Sequence, residues 1–114
     1  MSSLEISDQE AAAVAVAPRV TLDDMKAKIK AQHVFTADQV PGGPHQPELK
    51  ILTICICVME NGFTVISKSA PASPENFDAA LGSRFAWEDA IRQLWPLEGY
   101  ALRERIFQSK SAGP

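Results

Sequence analysis

The side chains best suited to chemistry in this chain are four arginines. Arg84 and Arg92 lie on one strongly helical stretch, and Arg103 and Arg105 follow it. A guanidinium presents a planar fork of donors that fits the oxygens of a phosphate two at a time. Phe77, Trp87, Trp95 and Tyr100 lie in the same half of the chain. Their flat faces suit a base, although aromatics at helical spacing also serve as core. The starts of helices at Ser73 and at Gly82-Ser83 would add backbone amides for an anion. Phosphate donors beside aromatic faces suit a compact nucleotide better than a polymer.

Catalytic constellations are absent from the sequence. There is no GxSxG elbow, phosphate-loop GxxxxGK[ST], HExxH or Rossmann glycine set. His33 and His45 have no cysteine or carboxylate cluster at ligand spacing, so no metal site is expected. Glu88 and Asp89 are adjacent on a helix and therefore point about 100° apart, which rules out a facing carboxylate pair and leaves them as solvated charges. The expectation is a binding protein that is not an enzyme, with no catalytic residues and no cofactor.

The elements that must position these groups centre on Asn61-Gly62. This pair suits a two-residue type I′ hairpin turn, which needs positive φ at both central positions. It separates a β-prone run, Lys50–Val58, from Phe63–Ala70. A two-residue turn sets Val58 opposite Val65, Cys57 opposite Ile66 and Ile56 opposite Ser67. Leu52, Ile54, Ile56 and Val58 then share one face, and Ile51, Thr53, Cys55, Cys57 and Met59 the other. Both faces are apolar, so each needs a cover: helices on one side, and on the other a further sheet layer or a second subunit. Cys55 and Cys57, two apart on one strand, read as reduced, buried small hydrophobes.

Upstream, Thr21-Leu-Asp-Asp24 opens a helix as a capping box, with Leu22, Met25 and Ile29 at helical spacing. His33–Thr36 reads as a short strand against the hairpin, and Val40–Pro47, rich in proline and glycine, as a loop. Downstream, Ser73-Pro74 starts a short helix closed by Gly82. Ser83–Trp95 is the main helix, with Arg84–Glu88 and Glu88–Arg92 pairs on its outer face; Pro96 ends or kinks it, and a last short helix carries Tyr100, Leu102 and Ile106. The fold class is α+β, a small three-stranded antiparallel sheet packed with N-terminal and C-terminal helices. Residues 1–19 are expected to form a flexible tail, 20–108 a single domain, and 109–114 a second flexible tail.

With 114 residues, 46% of them hydrophobic, the chain supplies one modest core. Its formal charge of −3 argues against a nucleic-acid polymer as partner. No apolar run approaches the roughly 20 residues of a membrane span, and no signal-like start is seen, so a soluble protein of the cytoplasm is expected, with no membrane partner.

The run NGFTVISKSAPASPENFDAALG, followed by RFAWEDAIRQLWPLEGYALRERI, resembles a group of small tailed-phage proteins. Their shared pattern is roughly NGF-x-V-x-G-x-SA, P-x-NFD-x-x-x-G, A-x-x-NA and W-x-LEGY-x-L. The upstream VTLDDMKAKIKAQHVFTA resembles the helix and strand that open many members, so the likeness spans residues 19–107. The chain also resembles Thoeris anti-defence sponge proteins of phages, which sequester cyclic ADP-ribose isomers made by bacterial TIR enzymes and in some cases hold cyclic oligonucleotides. That resemblance implies action in the host cytoplasm, a small cyclic nucleotide ligand, and a homo-oligomer, a dimer or trimer of dimers, with ligand pockets between subunits. It further implies ligand contacts from Asn76, Phe77, Asp89, Arg92, Tyr100, Arg103 and Arg105. Phe77 would wall the adenine, and Arg92, Arg103 and Arg105 would neutralise phosphates. Three positions depart from the pattern: Lys68 stands in place of Gly, Pro71 in place of a frequent Cys, and Asp89 in place of Asn. A phage accessory module that inhibits a host protein is the alternative.

Overall fold

A computed structural model describes residues 2–42 and 45–111. Helix α1 (Ser3–Val14) and helix α2 (Leu22–Ala27) lead into strand β1 (Ile29–Thr36). Strands β2 (Thr53–Met59) and β3 (Thr64–Ser69) form the central hairpin, and helix α3 (Ala79–Ser111) closes the chain. The sheet is antiparallel in the order β1-β2-β3. This is the expected α+β arrangement. No helix among the described residues is long and apolar enough to cross a membrane.

The capping box forms as the sequence predicts: Asp24 N–H donates to Thr21 Oγ1 at 3.0 Å, and Thr21 N–H to the Asp24 carboxylate at 3.1 Å. The Thr21 side chain and the Thr21 N–H together favour the ionised carboxylate and hold Asp24 below its usual pKa. Helix α2 is shorter than its pattern suggests, because Ile29 is already paired with Met59 in the sheet. A bulge between Ile29 and Ala31 lets β1 leave the helix and fall into register.

The hairpin is present, but its register differs from the expected one by a residue: Val58 opposes Thr64, Cys57 opposes Val65 and Ile56 opposes Ile66. The turn is the reason. Met59 N–H donates to the Phe63 carbonyl at 2.8 Å and Gly62 N–H to the Met59 carbonyl at 2.9 Å, so Glu60, Asn61 and Gly62 make a three-residue loop. Gly62 takes φ 89°, while no described non-glycine residue has a positive φ. Only one of the two central residues is left-handed, which is the signature of a turn followed by a glycine bulge rather than of type I′. Asn61 contributes its side-chain oxygen, which accepts from Phe63 N–H.

One sheet face is core. Thr53, Cys55, Cys57 and Met59 of β2, with Val65 and Ser67 of β3, are buried beneath α3. Alternating residues Ile54, Ile56 and Val58 are only half-buried on the other face, and Ile66 beside them is exposed. Ala86, Ala90, Ile91 and Leu94 form the buried stripe of α3, with Met25 of α2 packed in beside them. Small residues at 86 and 90 let the helix approach closely enough for Ser67 Oγ to donate to the Ala86 carbonyl.

Three further readings need correction. Helix α3 is continuous through Gly82 and Pro96 rather than divided into three pieces. Gly82 is accommodated because a Cβ there would meet Thr53 Oγ1 at 2.7 Å, so the close helix–sheet contact requires its absence. Pro96 lies on the exposed side, where a missing backbone donor is tolerated. Lys50 belongs to a 3-10 turn, Pro47–Lys50, and not to β2. Finally, residues 3–14, within the stretch expected to be a flexible tail, form α1. Its Leu4 is buried, and Asp8 binds Arg19 at 2.9 Å and accepts from Leu22 N–H. The expected frayed C-terminus begins inside α3, and residues 112–114 lie outside the described residues, as do Gly43 and Pro44 of the expected loop.

Candidate functional site

Helix α3 positions almost every residue singled out from the sequence, and its length keeps them apart. At 1.5 Å per residue, Arg92 and Arg103 stand about 16 Å apart along its axis, and Arg105 is turned about 200° from Arg103. All three are exposed. Arg92 donates to Ser3 Oγ at 3.2 Å, which ties α1 to α3. Tyr100 is 73% exposed on the outer side. Asp89 is half-buried near the edge of β3 and accepts from Gln93 Nε2 at 3.2 Å. Asn76 is exposed on a 3-10 turn (Pro74–Asn76), with Phe77 half-buried after it. One copy of the chain therefore does not gather the predicted ligand set.

Arg103 and Arg105 do share a shallow groove of about 550 Å³ with Pro18, Leu102 and Ile106, and Asp89 lines another beside Ile66 and Lys68; two more cavities lie one at each end of the hairpin. Ser69, Ala70 and Pro71 at the end of β3 meet Asn76, Phe77 and Asp78 around an open cavity of about 150 Å³ beside the start of α3. Part of this arrangement builds the fold. Asp78 Oδ1 accepts from Leu81 N–H at 2.9 Å and caps α3. Gly82 N–H is bonded to the Asp78 carbonyl, so the amides at Gly82-Ser83 are not a free helix start. Ser73 makes no side-chain cap, and the turn it precedes is three residues long. The anion sites expected at these two positions are therefore not formed.

At the turn end of the hairpin, Glu60, Asn61 and Phe63 face Leu97, Glu98 and Arg105 of α3 across a cavity of about 410 Å³. Lys28 lines it as well and is ion-paired with Glu98. Sequence reasoning missed Phe63 and Lys28. Phe63 was read only as a strand residue, yet it is 53% exposed. Lys28 carries no role in the sequence reading. The signal that could have found both is the hairpin itself, which returns the turn to the end of α2.

Electrostatics elsewhere differ from the outer-face pairs expected on α3. Glu88 is only 5% exposed and so is not a solvated charge. Arg84 instead stacks on Phe85 at 5.2 Å, and Lys26 lies over Trp87 at 5.5 Å. Cys55 and Cys57 are free and fully buried, with their sulfurs 3.9 Å apart. Burial, reinforced by the neighbouring thiol, pushes Cys57 up to about 12, so it is a poor nucleophile. Among the described residues no three His, Cys, Asp or Glu side chains gather as a metal-binding group.

Residues 20–106, from the capped α2 to the far turns of α3, match the Phage protein (N4 Gp49/phage Sf6 gene 66) family. The chain belongs to that family. No curated protein and no solved structure matches it. The region matched to the N4 Gp49/Sf6 gene 66 family takes in the whole sheet, both cavities at the ends of the hairpin and nearly all of α3, and leaves α1 outside.

Proposed function

We propose that this phage-family protein binds and sequesters small cyclic nucleotide signals without cleaving them, cyclic ADP-ribose isomers first and cyclic oligonucleotides second. It would thereby act in the host cytoplasm as an anti-defence sponge. The observation that carries the reading is the cavity between the hairpin turn and α3. Its volume of about 410 Å³ falls in the range of small-molecule sites, and its lining includes both an exposed aromatic residue, Phe63, and a cation, Arg105. The resemblance to Thoeris anti-defence proteins supports the same ligand class.

Of the ligand contacts implied by that resemblance, Arg105 alone lines this cavity, while Asn76 and Phe77 line the smaller one. The complete site in this proposal is shared between copies in a homo-oligomer, a dimer or trimer of dimers, with Asp89, Arg92, Tyr100 and Arg103 brought to it by assembly. Sequestration needs affinity rather than turnover. A nanomolar dissociation constant corresponds to about −12 kcal/mol.

A second reading, an accessory module that inhibits a host protein, is favoured by one observation: Arg92 stands about 16 Å along α3 from Arg103 and lies outside the groove that Arg103 and Arg105 share. Incubation of the purified protein with cyclic ADP-ribose isomers and cyclic di- and trinucleotides, followed by heat denaturation, separates the possibilities. Intact ligand released on denaturation is the expected result. Altered ligand would mean an enzyme, and no depletion from solution would overturn the nucleotide reading. Arg105→Ala should abolish uptake while leaving the melting temperature unchanged.

A further inference from the structure

The two edges of the sheet are treated differently by this sequence. On β3 the outward-facing backbone groups belong to Thr64, Ile66 and Lys68, because Met59 and Phe63 form a bonded pair and bonded positions alternate. That edge is guarded. Gln93 Nε2 donates to the outward carbonyl of Ile66 at 3.0 Å, and Lys68 places a charge on the strand. A side chain on the edge carbonyl and a lysine are both devices that prevent another strand from adding.

On β1 the same alternation, set by Ala37 N–H donating to the Leu52 carbonyl, turns the amides and carbonyls of Gln32, Val34 and Thr36 away from β2. The outward amides of Gln32, Val34 and Thr36 and the carbonyls of Gln32 and Val34 meet no partner among the described residues, while the Thr36 carbonyl serves the 3-10 turn Ala37–Gln39 that it caps. The strand is eight residues long and carries no proline, and its only charged residue, Lys30, sits at the bulge. Helix α3 lies over β2 and β3, and α2 stops at Ala27, so Gln32 and Val34 are exposed on the helix side as well.

We infer that β1 is the docking edge for a second copy of this chain, the two β1 strands pairing antiparallel about a two-fold axis at Val34. The register follows from self-complementarity. With Val34 opposite its own copy, the Val34 amides and carbonyls bond reciprocally, and Thr36 N–H of one chain donates to the Gln32 carbonyl of the other, a bond repeated on both sides of the axis. The same register sets exposed Lys30 at the level of Asp38 in the other chain, an opposite-charge pair repeated on both sides of the axis. A two-fold pairing also keeps like faces together, so the half-buried row of Ile54, Ile56 and Val58 becomes part of one broad apolar surface. The inference rests on the oligomeric part of the proposed function and not on its ligand.

Sedimentation of the full chain tests it, with Val34→Pro and Val34→Cys as variants. Wild-type protein should run at twice the chain mass, or at six times it where three such dimers assemble. Val34→Pro, which removes an outward donor from each copy, should run at the chain mass with an unchanged far-ultraviolet circular dichroism spectrum. Val34→Cys should give a covalent dimer on mild oxidation, since the native cysteines are buried. Should Val34→Pro unfold, the cross-link alone decides. A wild-type monomer at high micromolar concentration, an oligomer that folded Val34→Pro leaves intact, or failure of Val34→Cys to cross-link would overturn the pairing. The nucleotide panel reads ligand uptake separately, so a dimer that takes up nothing would sink the sponge and leave this edge standing.

Discussion

At the scale of single residues, most of what makes this protein distinctive is a matter of missing or neutral atoms. Gly82 is the clearest example. Alanine should gain about 1 kcal/mol in a helix interior, but its Cβ would press on Thr53 Oγ1, and threonine on a strand is stiff and cannot swing away. Gly82→Ala should therefore lower stability by about 1–3 kcal/mol. In the Thr53→Ala background the same change should become neutral or favourable, a reversal that a double-mutant denaturation cycle would read. Cys57 works through its proton. Its folded pKa of about 12 lies above the ordinary 9.0, so the unfolded chain releases the proton first. The stabilisation is complete below about pH 9 and is lost as pH rises toward about 12. Guanidinium titrations across that window should show a falling midpoint, and Cys57→Ala should flatten the fall.

Elements show where the sequence speaks clearly and where it does not. The capping box of α2 was legible because it is local: Thr21 and Asp24 need nothing beyond each other. Thr21→Ala should cost about 1 kcal/mol. Because the folded pKa of Asp24 is depressed, its contribution is present above the ordinary carboxylate value and is lost as pH falls through the folded one. A urea series between pH 7 and 2 would show the difference between wild type and Asp24→Ala closing at the acid end. The hairpin was legible in existence but not in register, since Asn-Gly serves both a two-residue and a three-residue loop and only the φ of Asn61 tells them apart. The unity of α3 was hidden by Gly82 and Pro96, both breakers by type. One is required by a residue 29 positions earlier in the chain, and the other is harmless because it faces outward. The candidate site was hardest to read. Phe77 and Arg105 are close in sequence terms, but a straight helix holds them on the order of 40 Å apart.

The whole molecule is elongated, 63 × 30 × 18 Å, because α3 outruns the sheet it covers. Helix α1 braces the middle of that long helix through Leu4 and the Ser3–Arg92 contact, although it lies outside the family match. Leu4→Ala should cost about 2 kcal/mol, at the low end for a buried leucine because the site is peripheral. Its melting temperature should fall while α2 and the sheet keep their spectra. The position of α3 at the end of the architecture has a consequence for biosynthesis. A ribosome makes the hairpin first and its main cover last, so Cys55, Cys57, Met59 and Val65 have only the small α2 contribution of Leu22 and Met25 beside them until residues 86–94 have been translated. The sheet must wait, apolar on both sides, in a crowded cell. Chains halted before α3 should therefore be captured by chaperones or lost to proteases rather than accumulate as folded fragments.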